Sequence, residues 1–301
     1  MLDDVTVPPI APPAHELARL SVVIPTLDRA DQLAEQLEAL STQRYDQWWE
    51  VIVVDNGSTD HTPAVLARFS GLLPLRVVPA TERRGRPHAV NVGVAASRGD
   101  ALVTLDNDDV VAPGYLTAMG AALARHAFAG ARLDSRRLNP PWLQLRRVPM
   151  QERGLATLMR HRPFVVGAGF GVRRDAYLAV GGCDETLECL EDLDLSWRLQ
   201  YAGYTPTFVA DAVVHYRYRG DLVGIWRQER SYGRWEAAVY AKHLALGVPR
   251  RRLRTVIAGW VRLFLCLPDV LSVSGRVRLV TAAAAATGRI EGSVRNRVLF
   301  L

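Results

Sequence analysis

The sequence predicts an α/β protein built on a doubly wound, mostly parallel sheet. From residue 20 to residue 126, short β-branched apolar runs alternate with stretches of helical periodicity, and three of the four runs stop at an acidic or small polar residue. Size agrees: 301 residues at 49% hydrophobic composition can bury a substantial core, in one large domain or two small ones.

LSVVIPT (20–26) reads as a buried strand, and DRADQLAEQLEALSTQ (28–43) sets Leu33, Leu37 and Leu40 at helical spacing behind Asp28, a residue suited to cap the helix. The unit then repeats. EVIVVD (50–55) is a strand, DHTPAVLARF (60–69) is a helix with Pro63 near its start, and LRVVPA (75–80) is a third strand. RPHAVNVGVAAS (86–97) is helical, ALVTLD (101–106) is a fourth strand, and APGYLTAMGAALARH (112–126) is a helix behind Pro113. From 130 to 165 the pattern weakens, and ARLDSRRLNPPWLQLRRVPM suits extended structure or a loop. GAGFGVRRDAYLAVGG (167–182) reads as a glycine-rich strand, a short helix and a glycine stop; its GxGxG opens no long helix, so it is a turn and not a phosphate loop. LEDLDLSWRLQYAGY (190–204) is a helix with acids in its first turn, VVHYRYR ends a further strand at His215, and 224–247 is helical.

The net charge of +6 hides an asymmetry. Residues 1–216 hold 21 Arg/Lys against 26 Asp/Glu, a net of −5, while residues 217–301 hold 16 against 5, a net of +11. A basic tail on an acidic body suits an anionic partner such as a lipid headgroup, or it is solvated surface charge. Residues 249–273 place Arg250, Arg251, Arg252 and Arg254 before an apolar run broken by Arg262 and Pro268, too short to span a bilayer. That segment reads as an interfacial helix on an anionic membrane surface, or as part of a helical cap over 222–295. Three cysteines without metal-type spacing suit a reducing compartment, and a start with acids and prolines lacks the pattern of an export signal. The expected location is therefore cytoplasmic, with peripheral binding to the inner face of the cell membrane as an option.

In doubly wound sheets ligands bind beyond the carboxyl ends of the strands, where this chain puts residues 26–29, 55–60 and 106–109. Asp106, Asp108 and Asp109 stand within four residues and repel one another. Either water compensates them, in an exposed turn, or a cation does, in a site.

Taken in order, IPTLDR (24–29), VDNGSTD (54–60), LDNDD (105–109), VGGCDE (180–185) and EDLDLSWR (191–198) resemble the motifs of the family 2 inverting glycosyltransferases of the GT-A fold, over about residues 20–220. The resemblance implies a nucleoside-diphosphate-sugar donor, a divalent metal (Mn²⁺ or Mg²⁺) and single-displacement transfer to an acceptor hydroxyl. It implies that Pro25, Thr26 and Arg29 line the nucleotide pocket, that Asp55 contacts the base, and that Arg84 and Gly85 approach base and ribose. Asn56 stands where the family has an acid. Asp106-Asn107-Asp108 matches the DxD motif, with Asp106 near the donor and Asp108 on the metal, and hard divalent cations do take carboxylate and phosphate oxygens. His215 matches a metal or diphosphate contact, Asp192 the general base, and Glu191 a residue that orients the acceptor or caps the helix.

The expected organisation is a lead-in at 1–18, a catalytic domain at 19–220 (nucleotide half 19–110, acceptor half 111–220) and a basic, apolar helical extension at 221–301. Gln228 and Arg234-Trp235 depart from the spacing of the QxxRW motif of processive synthases, which favours addition of one sugar at a time. UDP is the favoured donor nucleotide, with dTDP or GDP open. The acceptor is a lipid-linked or cell-surface glycan, or a soluble small molecule. A nucleotidyltransferase would also use paired acids, but no pyrophosphate-binding loop follows the first strand; a nucleic-acid partner would leave Asp106, Asp108 and Asp192 unexplained.

Overall fold

The computed structural model describes residues 17–144, 150–250, 261 and 271–300. The first half runs β1 (Leu20–Thr26), α1 (Ala30–Ser41), β2 (Trp49–Asp55), α2 (Thr62–Phe69), β3 (Leu75–Pro79), α3 (Arg86–Ala96), β4 (Ala101–Leu105), β5 (Val110–Val111), α4 (Tyr115–Leu123) and β6 (Phe128–Asp134). There follow α5 (Pro141–Gln144), β7 (Ala156–Thr157), β8 (Pro163–Phe164), β9 (Gly169–Arg173), α6 (Arg174–Ala179), α7 (Glu191–Tyr201), β10 (Pro206–His215), α8 (Leu222–His243) and α9 (Val273–Arg295).

Eight strands form one sheet in the order β3-β2-β1-β4-β9-β6-β10-β5. The four pairs β2/β3, β1/β2, β1/β4 and β6/β10 are parallel; β9 enters antiparallel between β4 and β6, and β5 closes the edge antiparallel to β10. The sheet is thus mixed and mostly parallel, with helices on both faces. Leu33, Leu37 and Leu40 of α1 and Tyr115, Leu116 and Met119 of α4 pack on one face, while Val90 and Val94 of α3 and Leu195 and Leu199 of α7 pack on the other. This two-sided burial explains why the strands read as continuous apolar runs.

One expectation is corrected, and one that left two alternatives open is resolved. Asp28 does not cap α1: it has φ +50, and its carboxylate accepts from the Thr59 backbone N–H (2.6 Å), while Asp60 Oδ2 accepts from the Ala30 N–H at the helix start (3.0 Å). The cap comes from a loop thirty residues away, which local pattern does not show. Residues 128–134, whose second half falls in the stretch read as loop or extended, form a strand of the main sheet. FAGARLD has little intrinsic β preference, and its two neighbours β9 and β10 supply the pairing.

The C-terminal helices pack on each other through glycine. A Cβ on Gly233 of α8 would meet the Ala285 carbonyl of α9, and one on Gly288 or Gly292 of α9 would meet the Arg230 or Arg234 carbonyl of α8. A third core, with Trp197 of α7 and Trp235, Val239 and Tyr240 of α8, joins α8 to the sheet-bearing body. No described helix is long and apolar enough to cross a membrane. Most of the proposed membrane-facing segment 249–273 lies outside the described residues.

Candidate active site

Parallel pairing in register brings the ends of β1, β2 and β4 to one rim. There a cavity of about 280 Å³ is lined by Pro25, Thr26, Arg29, Asn56, Gly85, Arg86, Asp106, Asn107, Asp108 and Arg219. Each wall element is fixed by hydrogen bonds. Asn107 Nδ2 donates to Thr26 Oγ1 (2.9 Å), tying the end of β4 to that of β1. Asn56 accepts from the Gly85 N–H (2.8 Å) and donates to the Arg83 carbonyl (2.8 Å), fixing the loop before α3. Gly85 takes φ +135, a conformation only glycine adopts without strain, at the point where the chain turns into α3. Of the residues expected here, Arg84 is exposed and outside this wall. Asp55 is also outside it, and accepts from the Gly57 (3.2 Å) and Ser58 (2.8 Å) backbone N–H groups.

Carboxylate oxygens of Asp106, Asp108 and Asp109 lie within 4.8 Å of one another. Asp109 is 1% exposed, and its Oδ2 has no hydrogen-bond partner. Burial, then the charges of Asp106 and Asp108, push its carboxyl well above the usual range, while the Arg217 N–H on Oδ1 (2.8 Å) opposes the shift. An oxygen-rich, mutually repelling set with an orphaned acceptor fits a hard divalent cation. Arg219 Nη1 meets Asp108 Oδ2 at 2.8 Å, so this strand-following arginine reaches the same cavity wall. His215, paired across the sheet with Val110, is not part of that acidic group. Its Nδ1 is buried without a hydrogen-bond partner, 4.0 Å from Asp134 Oδ2, and burial, then the Arg137 charge, lower its pKa.

A second cavity, of about 300 Å³, shares Arg86 and Asp106 with the first and extends away under α8 and α9. Asp192 and Glu191, the first residues of α7, stand in its wall. Asp192 Oδ2 accepts from the Gly167 N–H (2.7 Å) and Oδ1 from the Leu193 N–H (2.8 Å). Burial, then the neighbouring Glu191 charge, raise its carboxyl to about 7. Arg86 joins the two sides: Nε donates to Asp106 Oδ1 (2.9 Å), Nη1 to Glu191 Oε1 (2.6 Å) and Nη2 to the Gly167 carbonyl (2.9 Å). Burial works against its charge, but Asp106, Glu191 and Asp192 outweigh that and raise its pKa. Sequence reading gave Arg86 no role beyond starting a helix. The available signal was a base at a helix N-terminus, where the helix dipole disfavours it.

A mixed sheet of this order, with acids at the end of β4 and at the start of α7, is the architecture of the GT-A fold. A solved mannosyltransferase of Pyrobaculum calidifontis, in complex with GDP-Man and Mn²⁺, has this architecture: TM-score 0.62 at 20% identity, over 94% of this chain and 89% of that one. The profile of Glycosyl transferase family 2 matches residues 21–181, more than half of the chain, and the protein belongs to that family. The succinoglycan biosynthesis protein ExoA of Rhizobium meliloti is 26% identical over 262 residues, 79% of this chain and 74% of its own. The pre-mycofactocin glycosyltransferase of Mycobacterium tuberculosis is 27% identical over 312 aligned positions, covering 98% of this chain; the chain spans 62% of that relative's length.

Proposed function

We propose that this chain is a metal-dependent, inverting, non-processive glycosyltransferase that moves one sugar from a nucleoside-diphosphate sugar to an acceptor hydroxyl. The observation that carries this reading is the meeting of two cavities at Arg86 and Asp106, one bearing the acidic group and the other bearing Asp192.

The nucleotide would lie along Pro25, Thr26, Arg29 and Gly85, with its diphosphate toward Asp108 and Arg219. Asp106 and Asp108 would hold Mn²⁺ or Mg²⁺, which when bound neutralises charge on the departing diphosphate. Arg219 adds a fixed positive charge at the same wall, and Arg86 holds Asp106 and Glu191 in place. In the transfer step the acceptor oxygen bonds to the anomeric carbon, the bond from that carbon to the diphosphate oxygen breaks with its electron pair leaving on the nucleotide, and the acceptor proton goes to Asp192 Oδ1 or Oδ2. A carboxyl near neutrality is suited to that proton, because a base works best when its pKa lies near the working pH. Attack from the Asp192 side, opposite the nucleotide, inverts the anomeric centre.

Calorimetric titration of UDP, dTDP and GDP, with and without Mn²⁺, tests the donor half. Metal-dependent binding of one nucleotide, lost in Asp108→Asn, is the expected result, with UDP favoured by the family resemblance. No binding by the folded protein refutes the reading.

A further inference from the structure

The first turn of α7 carries three acids, and two of them, Glu191 and Asp192, stand in the wall of the second cavity. Asp194 does not. Its side chain is fully buried where α7 meets the end of α8: Oδ1 meets His243 Nε2 at 2.8 Å and the Lys242 ammonium at 2.6 Å, and Oδ2 accepts from Arg198 Nε at 2.7 Å. Burial pushes this carboxyl up, but the His243 bond, the Arg198 charge and the Lys242 bond outweigh it and bring it to about 2, so it stays charged. Desolvation offsets much of what such a buried cluster gains, so its role is to be sought in what it fixes.

What it fixes is the start of α7. Leu190, at the N-cap position, takes φ +61 and offers no side-chain cap, a conformation that persists in a non-glycine residue only where the surroundings hold it. The Asp194 N–H closes the first turn on the Leu190 carbonyl (3.1 Å), so the residue that closes this turn is also the one whose side chain is anchored. Asp192 lies inside that turn. The same anchor reaches further. Lys242 also meets Asp184 Oδ2 at 2.6 Å, and Arg198 donates to the Val180 and Gly182 carbonyls at 2.7 Å each, which fixes the 180–185 loop. That loop in turn holds α3, whose His88 and Asn91 meet Glu185 at 3.0 and 2.8 Å. Helix α8, which supplies Lys242 and His243, also gives Tyr232 and Gly233 to the cavity wall.

We propose that Asp194 is a positioning residue: clamped by Arg198, Lys242 and His243, it holds the first turn of α7 so that the Asp192 carboxylate stays buried against the Gly167 N–H, and it ties that carboxylate to the docking of α8. The importance of Asp192 rests on the transfer reading above, but its placement can be read without any transfer.

The test is a carboxyl ¹³C NMR titration of the full chain labelled in aspartate, from about pH 4 to about pH 9, with the Asp192 signal assigned by its loss in Asp192→Asn. In the wild type that signal should titrate at about 7, raised by burial and then by the Glu191 charge, with the Gly167 N–H and Arg86 opposing. Asp194→Asn releases the turn and lets water reach Asp192, and the midpoint is expected to fall by about one pH unit or more. Loss of the Asp194 charge would by its field alone also lower it, so Lys242→Met is the decisive variant. Removing a cation raises a nearby carboxyl through its field but lowers this one by loosening the clamp, and a fall of about half a unit is expected. Lys242 has a side chain 34% exposed, so this variant keeps the fold should Asp194→Asn lose it, as circular dichroism will show. No fall in a folded Asp194→Asn, or a rise or no shift in Lys242→Met, overturns the proposal. Titration of UDP, dTDP and GDP with Mn²⁺ reads the first cavity on the same samples. An unmoved Asp192 signal with nucleotide binding intact would refute the clamp alone, and the expected shifts without nucleotide binding would refute the transfer reading alone.

Discussion

In the first cavity, all of the described wall except Arg219 lies between residues 25 and 108, in the loops that end β1, β2 and β4 and in the start of α3. The second cavity draws on segments scattered from Arg86 to Arg289, and one side of its enclosure comes from how α8 and α9 dock. The first is therefore fixed by strand register, which a single substitution hardly moves. The second depends on helix packing without backbone pairing to the sheet, so it should be easier to deform. Changes can be chosen that separate the two.

The largest expected effect is on chemistry. Asp192→Asn should lower transfer by about 10²–10⁴-fold while nucleotide affinity changes by less than about tenfold, measured by product formation and calorimetry on one preparation. A larger loss of donor affinity would place Asp192 on the nucleotide side and break the division. The same group sets a pH dependence of opposite sign in rate and stability. Because the folded carboxyl is raised to about 7, transfer should rise as pH passes through that value. The associated stability is present below the unfolded carboxyl range and is lost as pH rises through about 7. Melting curves from pH 5 to pH 9 should show Asp192→Asn gaining on the wild type toward the alkaline end.

Next is Gly288→Val, which drives a branched side chain against the Arg230 carbonyl. Overpacking of this kind typically costs about 1–3 kcal/mol, and here it should push α9 off α8. Acceptor-side ligand binding should fall several-fold while nucleotide binding stays unchanged; equal losses at both sites would show that the cavities are not mechanically separate.

The same contrast explains what the sequence disclosed. The β1, β2 and β4 segments, their acidic ends and the Asp106–Asp109 group were legible because each is local: an apolar run, a stop and a charge cluster within ten residues. The first helix was legible too, but its cap was not, because Asp60 reaches Ala30 from another loop. β6 could be read only as extended structure or loop, because its strand character comes from neighbours remote in sequence. Arg86 was visible as a residue but not as a bridge, since Asp106, Gly167 and Glu191 are separated from it by up to 105 positions. The wall of the second cavity was least legible for the same reason.

Arg86→Gln probes the junction itself. It removes the cation shared by Asp106 and Glu191, and with the Arg86 side chain still 26% exposed, a loss of about 2 kcal/mol is expected, below that for a fully buried pair. Denaturant unfolding reads it directly. Both binding sites should weaken together, unlike either change above, because Arg86 stands in both walls.

The smallest expected effect is at Arg289→Gln. Its pair with Glu236 links α9 to α8 at 2.7 Å, with the arginine side chain 29% exposed, so the stability change should stay near or below about 1 kcal/mol. The informative quantity is the charge left behind. Releasing Glu236 takes the Arg289 charge away from the wall of the second cavity and leaves the wall of the first untouched. Binding of the cation tyramine relative to the anion 4-hydroxyphenylacetate should therefore increase, while nucleotide affinity is constant. A cavity whose ion pairs only hold the helices together would show no change in that ratio. A shift toward the cation would show that this ion pair sets the electrostatics of the second cavity independently of the first.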